Sequence, residues 1–348
     1  MKVLVVTPSL KILGGVANHY EGLMPFWKSY VKYISYGKRG RIPAFLTFLP
    51  DLIVYVFVLI FGQYDVVVVN PSLRKYQLFR DGLYVILSRL LGKKVVTFIH
   101  GWEIQVADEI RKSPQNFIKV YGRSRFIYVL YSDFKKQLED LKIPSPVLLT
   151  TTKVKDSLLE QFHISERNGK IERLLFLARA DKLKGLDITI KTFEILKRKN
   201  PLLKLCVCGT GNALQESIDY VKGKGIPDVD FRGHVQGSDV AEVFRTTDLY
   251  ILPTHGEGMA TSVLEAMAFG LPVVTRPVGG VNDFFEEGKM GYLIESFDPE
   301  VYAEKIQYLI DHPEVTQCMS SLNYHYANEH FLASKVVEKF EADLKKYC

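Results

Sequence analysis

Leu249-Tyr-Ile-Leu252-Pro-Thr-His255-Gly-Glu257-Gly-Met259-Ala260-Thr261-Ser-Val-Leu-Glu265-Ala-Met-Ala-Phe269-Gly270-Leu-Pro-Val273-Val-Thr275 is the stretch whose reading decides the fold. Leu249 to Leu252 is a short apolar run with the length of a buried strand, and Pro253 to Gly258 is loop chemistry. Met259 to Phe269 is rich in Ala, Met, Leu and Glu and is stopped by Gly270, which predicts a helix; Val273 to Thr275 begins the next strand. Strand, short loop, helix and strand together make the repeating unit of a parallel sheet covered by helices.

The same alternation runs outward in both directions. Upstream it predicts strands at Val3 to Thr7, Val66 to Asn70, Val95 to His100, Phe126 to Leu130 and Val147 to Thr151. Further strands are expected at Arg173 to Ala178, Leu203 to Cys208, Val229 to Arg232 and Gly291 to Ile294. The expected class is α/β, with two Rossmann-like, doubly wound parallel-sheet domains, because 348 residues exceed what one core usually holds. The first domain is expected over 1–160 and the second over 173–333, with the polar, turn-rich Ser165 to Lys170 inside a linker over 161–172. Val336, Val337, Phe340 and Leu344 recur at helical spacing, so 334–348 is read as a final helix packing back on the first domain.

Composition excludes several classes. With 47% hydrophobic and 12% aromatic residues and no repeat of solenoid length, the chain is globular. Four scattered cysteines make no disulfide framework, and Cys206-Val-Cys208 lies in an apolar run; reduced, buried thiols of a cytoplasmic protein are expected. Met1 to Thr7 reads as a first buried strand, not a cleavable signal. Leu52 to Phe61 is about half the roughly 20 residues that span a bilayer, and is read as a buried helix over a membrane-dipping segment.

Charge divides the chain unevenly. Residues 1–160 hold 23 Lys+Arg and 12 Asp+Glu, or +11, which leaves −5 for the remainder of the overall +6. Between Glu21 and Asp51 no acid occurs, while Lys28, Lys32, Lys38, Arg39 and Arg41 alternate with Trp27, Tyr30, Tyr33 and Tyr36. That pattern suits an anionic membrane surface, and it equally suits a merely solvated face. A nucleic-acid role is not expected, because no recognition module accompanies the charge.

In doubly wound sheets ligands bind beyond the carboxyl ends of the strands, so the chemistry-bearing residues should follow the apolar runs. Gly14-Gly15, His100-Gly-Trp102, Arg179 to Gly185 and Gly209-Thr-Gly211 all do. The loop before the central helix leaves backbone N–H groups of about Met259, Ala260 and Thr261 facing outward, an anion site suited to a diphosphate. Glu257 and Glu265, eight residues apart, would lie ~12 Å apart on a helix. They are too far apart for one acid/base pair and suit the two ends of a ligand; a Glu at a helix start also serves as a plain dipole partner.

Glu257, seven residues, Glu265, then Ala-Met-Ala-Phe-Gly-Leu-Pro-Val-Val and Val278-Gly-Gly280 together resemble the signature of the family-4 retaining glycosyltransferases of the GT-B fold. Ala178-Arg179-Ala-Asp-Lys-Leu-Lys184-Gly185 is similar to that family's Gly-Arg and Lys-Gly element, with Ala178 in place of the usual Gly. The likeness covers most of the chain and is strongest from Leu174 to Leu309. It implies two domains facing a central cleft and a nucleoside-diphosphate-sugar donor. The diphosphate would be held by Arg179 and Lys184, with Gly15 nearby, and the ribose by Glu265; His100 and Glu257 would lie beside the transferred sugar. Gly233-His234-Val235 resembles the loop that contacts the nucleobase. Gly14, Asn70 and Arg80 are the expected acceptor-side residues, and the acceptor implied is a lipid-linked or glycan hydroxyl.

No cofactor or metal is expected, because two cations and a helix N-terminus suffice for a leaving diphosphate. Asp228-Val-Asp230 looks like a metal-binding Asp-x-Asp but opens a strand instead of following one. Gly209-Thr-Gly211 lacks the third glycine of a dinucleotide fingerprint, since position 214 is Leu, and is read as a tight turn. A nucleotide-sugar epimerase or hydrolase, or a non-catalytic binder of the same ligand, stays open as an alternative.

Overall fold

The computed structural model describes residues 1–10, 14–37 and 44–348, with the side chains of 44 and 45 left aside. The chain divides into two compact units: residues 1–153 with 333–348, and residues 154–332.

In the first unit the strands are β1 (Lys2–Pro8), β2 (Tyr30–Tyr36), β3 (Val66–Val69), β4 (Ser72–Leu73), β5 (Lys94–Phe98), β6 (Gly101–Trp102), β7 (Ile127–Val129) and β8 (Val147–Leu149). Six of them form one parallel sheet in the order β2-β1-β3-β5-β7-β8, while β4 and β6 make a separate two-stranded pair. The second unit contains β9 (Arg173–Leu177), β10 (Lys204–Cys208), β11 (Val229–Gly233), β12 (Leu249–Leu252), β13 (Val273–Thr275) and β14 (Gly291–Leu293). Their order is β11-β10-β9-β12-β13-β14, again all parallel. The winding direction reverses between β1 and β3 in one sheet and between β9 and β12 in the other. At such a reversal the connections leave on opposite faces, so the strand ends frame a crevice.

Three expectations need correction. The strand β2 was not foreseen. Its alternation of Tyr and Lys, read as a charged surface, belongs to an edge strand that pairs only with β1, from Lys2 opposite Tyr30 to Pro8 opposite Tyr36. With one neighbour it leaves Tyr30 and Lys32 exposed. Lys38, Arg39 and Arg41 of the same basic stretch lie outside the described residues.

The unit boundary falls at Lys153, not over 161–172. Val154, Phe162 and Ile171 are buried in the second unit's core, and Arg167 donates to the Phe269 carbonyl at 2.9 Å and the Phe244 carbonyl at 2.8 Å. Burial lowers the Arg167 pKa to about 10. A polar segment that reads as linker is thus a carbonyl clamp belonging to the unit that follows it. The final helix, Ala333–Tyr347, belongs to the first unit, where Glu341 accepts from the Lys28 and Ser29 amides and Asp343 from the Tyr128 hydroxyl.

The helix Ala44–Phe61 is not a buried helix. Thr47, Asp51, Tyr55 and Leu59 face inward, while Leu49, Ile53, Phe57 and Phe61 are exposed. Apolar length alone does not say which face a helix buries.

Candidate active site

The reversal between β9 and β12 gathers most of the second unit's expected site. Arg179 follows β9, and its guanidinium stays 76% exposed, 3.7 Å from Asp181. Asp181 then caps a short turn over Lys182–Lys184, accepting the Lys184 amide at 3.0 Å. Gly185 ends the turn at φ +75°, with the Pro253 carbonyl oxygen 2.3 Å from where a Cβ would stand. This close approach presses the turn onto the loop after β12, and the His255 amide bonds to the Leu183 carbonyl at 2.8 Å. Lys184 Nζ therefore meets Glu257 Oε1 in an ion pair whose side chains are only 15% and 17% exposed. The Thr254 hydroxyl adds a hydrogen bond to the same oxygen at 3.3 Å.

The expected helix starts at Thr261, two residues later than composition suggests, so Met259 and Ala260 belong to the approach. Its N-cap, Ala260, supplies no side-chain cap, and first-turn amides of an uncapped helix point out of its end. Tyr250 anchors the helix from below, bonding to Ser262 Oγ at 2.7 Å and the Leu177 carbonyl at 2.9 Å. Burial drives the Tyr250 phenol pKa far up, and the charges of Glu257 and Glu265 push it the same way. Both carboxylates thus act on one buried phenol, although eight residues separate them. Gly279, at φ +63°, brings its Cα beside the Glu257 carbonyl, 2.3 Å from a notional Cβ, and closes the loop from behind.

Gly209 and Gly211 are more than a turn. A Cβ on Gly209 would stand 1.8 Å from the Ala178 carbonyl oxygen, and one on Gly211 2.3 Å from that of Ala180. These glycines let β10 press against the backbone that carries Arg179. Their signal was present in the sequence as two glycines after a strand; what they press against was not. Gly233 ends β11 at φ +65° and accepts the Gly209 amide at 2.6 Å, so Gly233, His234 and Val235 lie at the carboxyl end of the same sheet. Asp228 pairs with Lys197 at 2.6 Å and Asp230 with Arg232 at 2.8 Å, which gives both acids of the Asp-x-Asp a cationic partner.

In the first unit the hub is Asn70, buried at the end of β3. Its Nδ2 donates to the Val6 carbonyl at 2.9 Å, which fixes the amide orientation. The Oδ1 then accepts from the Tyr20 hydroxyl at 2.7 Å and faces His100 Nε2 at 3.0 Å. His100 Nε2 must therefore carry the proton, leaving Nδ1 as an acceptor. The β4–β6 pairing holds this geometry, with the His100 amide on the Pro71 carbonyl at 3.1 Å and the ring stacked 3.7 Å from Phe98.

His19, which the sequence did not single out, lies beside His100. It is buried with neither ring nitrogen partnered among the described residues, 5.4 Å from the His100 ring, on the helix Gly15–Leu23 that opens at the glycine pair. The spacing Gly14-Gly15-x-x-x-His19 was the available signal.

Burial lowers the His100 pKa to about 3, and burial followed by the His100 and Lys153 fields lowers that of His19 well below 6.5. Both rings are neutral in the folded protein at pH 7. The unfolded chain binds more protons than the folded one between pH 6.5 and about 3, so stability is full above pH 6.5 and falls on acidification through that window. Denaturant midpoints measured across it should fall with pH, and His100→Gln should flatten the slope.

Among the described residues nothing lies within 4 Å of a notional Cβ on Gly14, which is in extended backbone, or on Gly15. Arg80, expected on the acceptor side, is already engaged within the first unit. It lies within the helix Lys75–Leu90, bonded to buried Asp81 at 2.7 and 3.0 Å and to the Tyr36 hydroxyl at 3.0 Å. Sequence places Asp81 next to Arg80, and the fold buries that carboxylate against the guanidinium.

Residues 159–325 match the family model described as glycosyl transferases group 1. The match takes in just under half of the chain. It includes Arg179, Lys184, Glu257 and Glu265, so the ion pair at the β9/β12 reversal lies inside the family's segment. The capsular polysaccharide biosynthesis glycosyltransferase CapM of Staphylococcus aureus is 30% identical over 170 residues, 48% of this chain and 44% of that protein. A D-inositol 3-phosphate glycosyltransferase of Paenarthrobacter aurescens is 28% identical over 154 residues, 43% of this chain and 38% of the relative. The chain therefore spans less than half the length of these curated relatives.

Among solved structures, Anabaena Alr3699/HepE, crystallised with UDP and glucose, superposes with a TM-score of 0.73 at 16% identity, covering 99% of this chain and 100% of that one. Pneumococcal GtfA, an O-GlcNAc transferase crystallised with UDP and GlcNAc, gives 0.66 at 18% identity over 85% and 60% of the two chains. At such identities the likeness shows the fold, which is that of the two-domain GT-B glycosyltransferases.

Proposed function

We propose that this protein is a retaining glycosyltransferase that moves a sugar from a nucleoside-diphosphate donor to an acceptor hydroxyl without a metal. The observation that carries the reading is the Lys184–Glu257 ion pair beside exposed Arg179 and the uncapped helix start, all at one topological switch point. UDP and sugar stand in the crystals of HepE and GtfA, which supports a donor of that class.

As the bond from the sugar carbon to phosphate breaks, negative charge grows on the leaving diphosphate. Arg179, Lys184 and the amides at Ala260 and Thr261 meet it, while Glu257 holds the Lys184 ammonium in place and accepts from a sugar hydroxyl. Glu265 accepts from the ribose, and the Gly233-His234-Val235 backbone faces the base. Neutral His100, its tautomer set by Asn70, orients the transferring sugar. The acceptor oxygen bonds to the anomeric carbon on the face the phosphate leaves, and the acceptor proton passes to the departing phosphate oxygen. Among the described residues nothing lies within 4 Å of a notional Cβ on Gly15, which suits a loop approached by donor phosphate.

The acceptor reading is a lipid-linked or glycan hydroxyl in cell-surface polysaccharide or glycolipid synthesis, reached by peripheral attachment of the cationic first half to the cytoplasmic membrane face. The CapM likeness supports it. Among the described residues no helix is long and apolar enough to cross a membrane.

A nucleotide-sugar panel screened by thermal shift names the donor, because a ligand of the folded state raises the melting temperature. Arg179→Ala should weaken the best donor at least about tenfold, ~1.4 kcal/mol, while leaving the ligand-free midpoint unchanged, since its side chain is 76% exposed. A chelator should leave the rate unchanged, and NMR of the product should show the donor's anomeric configuration. Donor consumption without any acceptor would point to an epimerase or hydrolase instead.

A further inference from the structure

The geometry points to the helix Ala44–Phe61 as an in-plane membrane anchor that inserts its outer face into an anionic lipid surface. This deepens the membrane-side acceptor reading and rests on it only for the acceptor's chemistry.

The helix is amphipathic the wrong way round for water. Its inward face carries Thr47, whose hydroxyl donates to the Gly37 carbonyl at 2.9 Å, Asp51, which accepts the Gly37 amide at 2.9 Å, and Tyr55, bonded to Ser88. The outward face carries Leu46, Leu49, Ile53, Phe57, Ile60 and Phe61, exposed by 56 to 70%. Their spacing of three and four residues makes one continuous stripe along the helix. Asp51 is the only charged residue from Ala44 to Phe61, and it is buried. A surface helix in water presents the opposite arrangement, and an exposed apolar stripe of this extent marks a docking face.

Two observations select a lipid surface as the occupant. The first is orientation. Thr47, Asp51, Tyr55 and Leu59 tether the helix along its length, so it offers its long side and cannot stand upright in a bilayer. An apolar side held parallel to a surface is the geometry of an interfacial helix. The second is charge complementarity. Residues 22–102 hold eleven Lys+Arg against three Asp+Glu, of which Asp51 and Asp81 are buried, the latter paired with Arg80. Arg74 and Lys93 flank the neighbouring helix Lys75–Leu90, which itself exposes Phe79, Ile86 and Leu90, and Lys75 at its start pairs with Glu109 at 3.4 Å on the exposed surface. Tyr55 bonds to the Tyr84 carbonyl at 3.3 Å, so the two helices are neighbours. An apolar stripe beside cationic side chains matches acyl chains beneath anionic headgroups.

The test is co-sedimentation of the full chain with vesicles of phosphatidylcholine, with and without phosphatidylglycerol, in the absence of donor and acceptor. Wild type should bind the anionic vesicles. Leu49→Ser/Ile53→Ser/Phe57→Ser/Ile60→Ser should bind at least ~10-fold more weakly, with an unchanged circular dichroism spectrum. Arg74→Gln/Lys75→Gln/Lys93→Gln should lose the preference for phosphatidylglycerol. A Phe57→Trp variant keeps the apolar face, and its added emission should shift to the blue on anionic vesicles. Equal binding by wild type and the four-serine variant, or no blue shift, overturns the anchor. So does a wild type that ignores vesicles but forms a dimer that the serines dissociate, because the stripe then covers a second copy of the chain. Because no transfer is measured, failure here leaves the sugar-transfer reading standing, and a transfer-dead enzyme that binds vesicles leaves the anchor standing.

Discussion

Replacing Lys184 by alanine is expected to lower kcat/KM for sugar transfer by about 10²- to 10³-fold, the range found when a single preorganised charge stabiliser is removed. The size follows from where the lysine sits. Its side chain is 15% exposed against a Glu257 carboxylate that is 17% exposed, so the substitution removes a cation from the leaving group and leaves a half-desolvated anion facing the same diphosphate. Glu257→Gln keeps the shape and removes that repulsion. The double substitution Lys184→Ala/Glu257→Gln should therefore lose less than the two single losses combined, which steady-state kinetics over a double-mutant cycle would read directly. Transfer by Lys184→Ala within about threefold of wild type, well under the ~10-fold that 1.4 kcal/mol represents, would falsify the diphosphate assignment.

The second large effect is steric. Gly209→Ala should destabilise the second unit by about 3 kcal/mol or more and abolish donor binding. At φ +141° an alanine is strained before any contact is considered, and its Cβ would stand 1.8 Å from the Ala178 carbonyl oxygen. The backbone between Ala178 and Ala180 must then move, and Arg179 moves with it. Urea unfolding measures the first consequence and a donor thermal shift the second. Gly15→Ala is the contrasting case: nothing lies within 4 Å of its notional Cβ, so the ligand-free midpoint should hold while donor binding weakens. If Gly209→Ala unfolds at the wild-type urea concentration, the close approach is not a constraint on the fold.

Much of the candidate site was legible because its elements are local. Strand, loop and helix around Glu257 follow from apolar run length and from the residues that open and stop a helix, both carried by neighbours in the chain. The match to glycosyl transferases group 1 falls on that same half. The first unit was less legible. Its hub, Asn70, assembles Val6, Tyr20 and His100 from three separate segments, and no spacing rule joins them.

What the sequence by itself determined was the alternation of eleven parallel strands with helices, the places where site residues follow strands, and the basic charge of the first half. These are properties of period and order. The tertiary structure alone decided which groups were already engaged and which way each surface faced. Arg80, expected on the acceptor side, and Arg167, expected in a linker, are committed to Asp81 and to helix-end carbonyls. Two glycines that read as a turn hold the Arg179 backbone against β10. Leu52 to Phe61 read as a buried helix, yet the helix Ala44–Phe61 that contains it turns its apolar side outward, because Thr47, Asp51 and Tyr55 find hydrogen-bond partners inside. Period says that two faces differ, and only the partners brought by the fold say which one is buried.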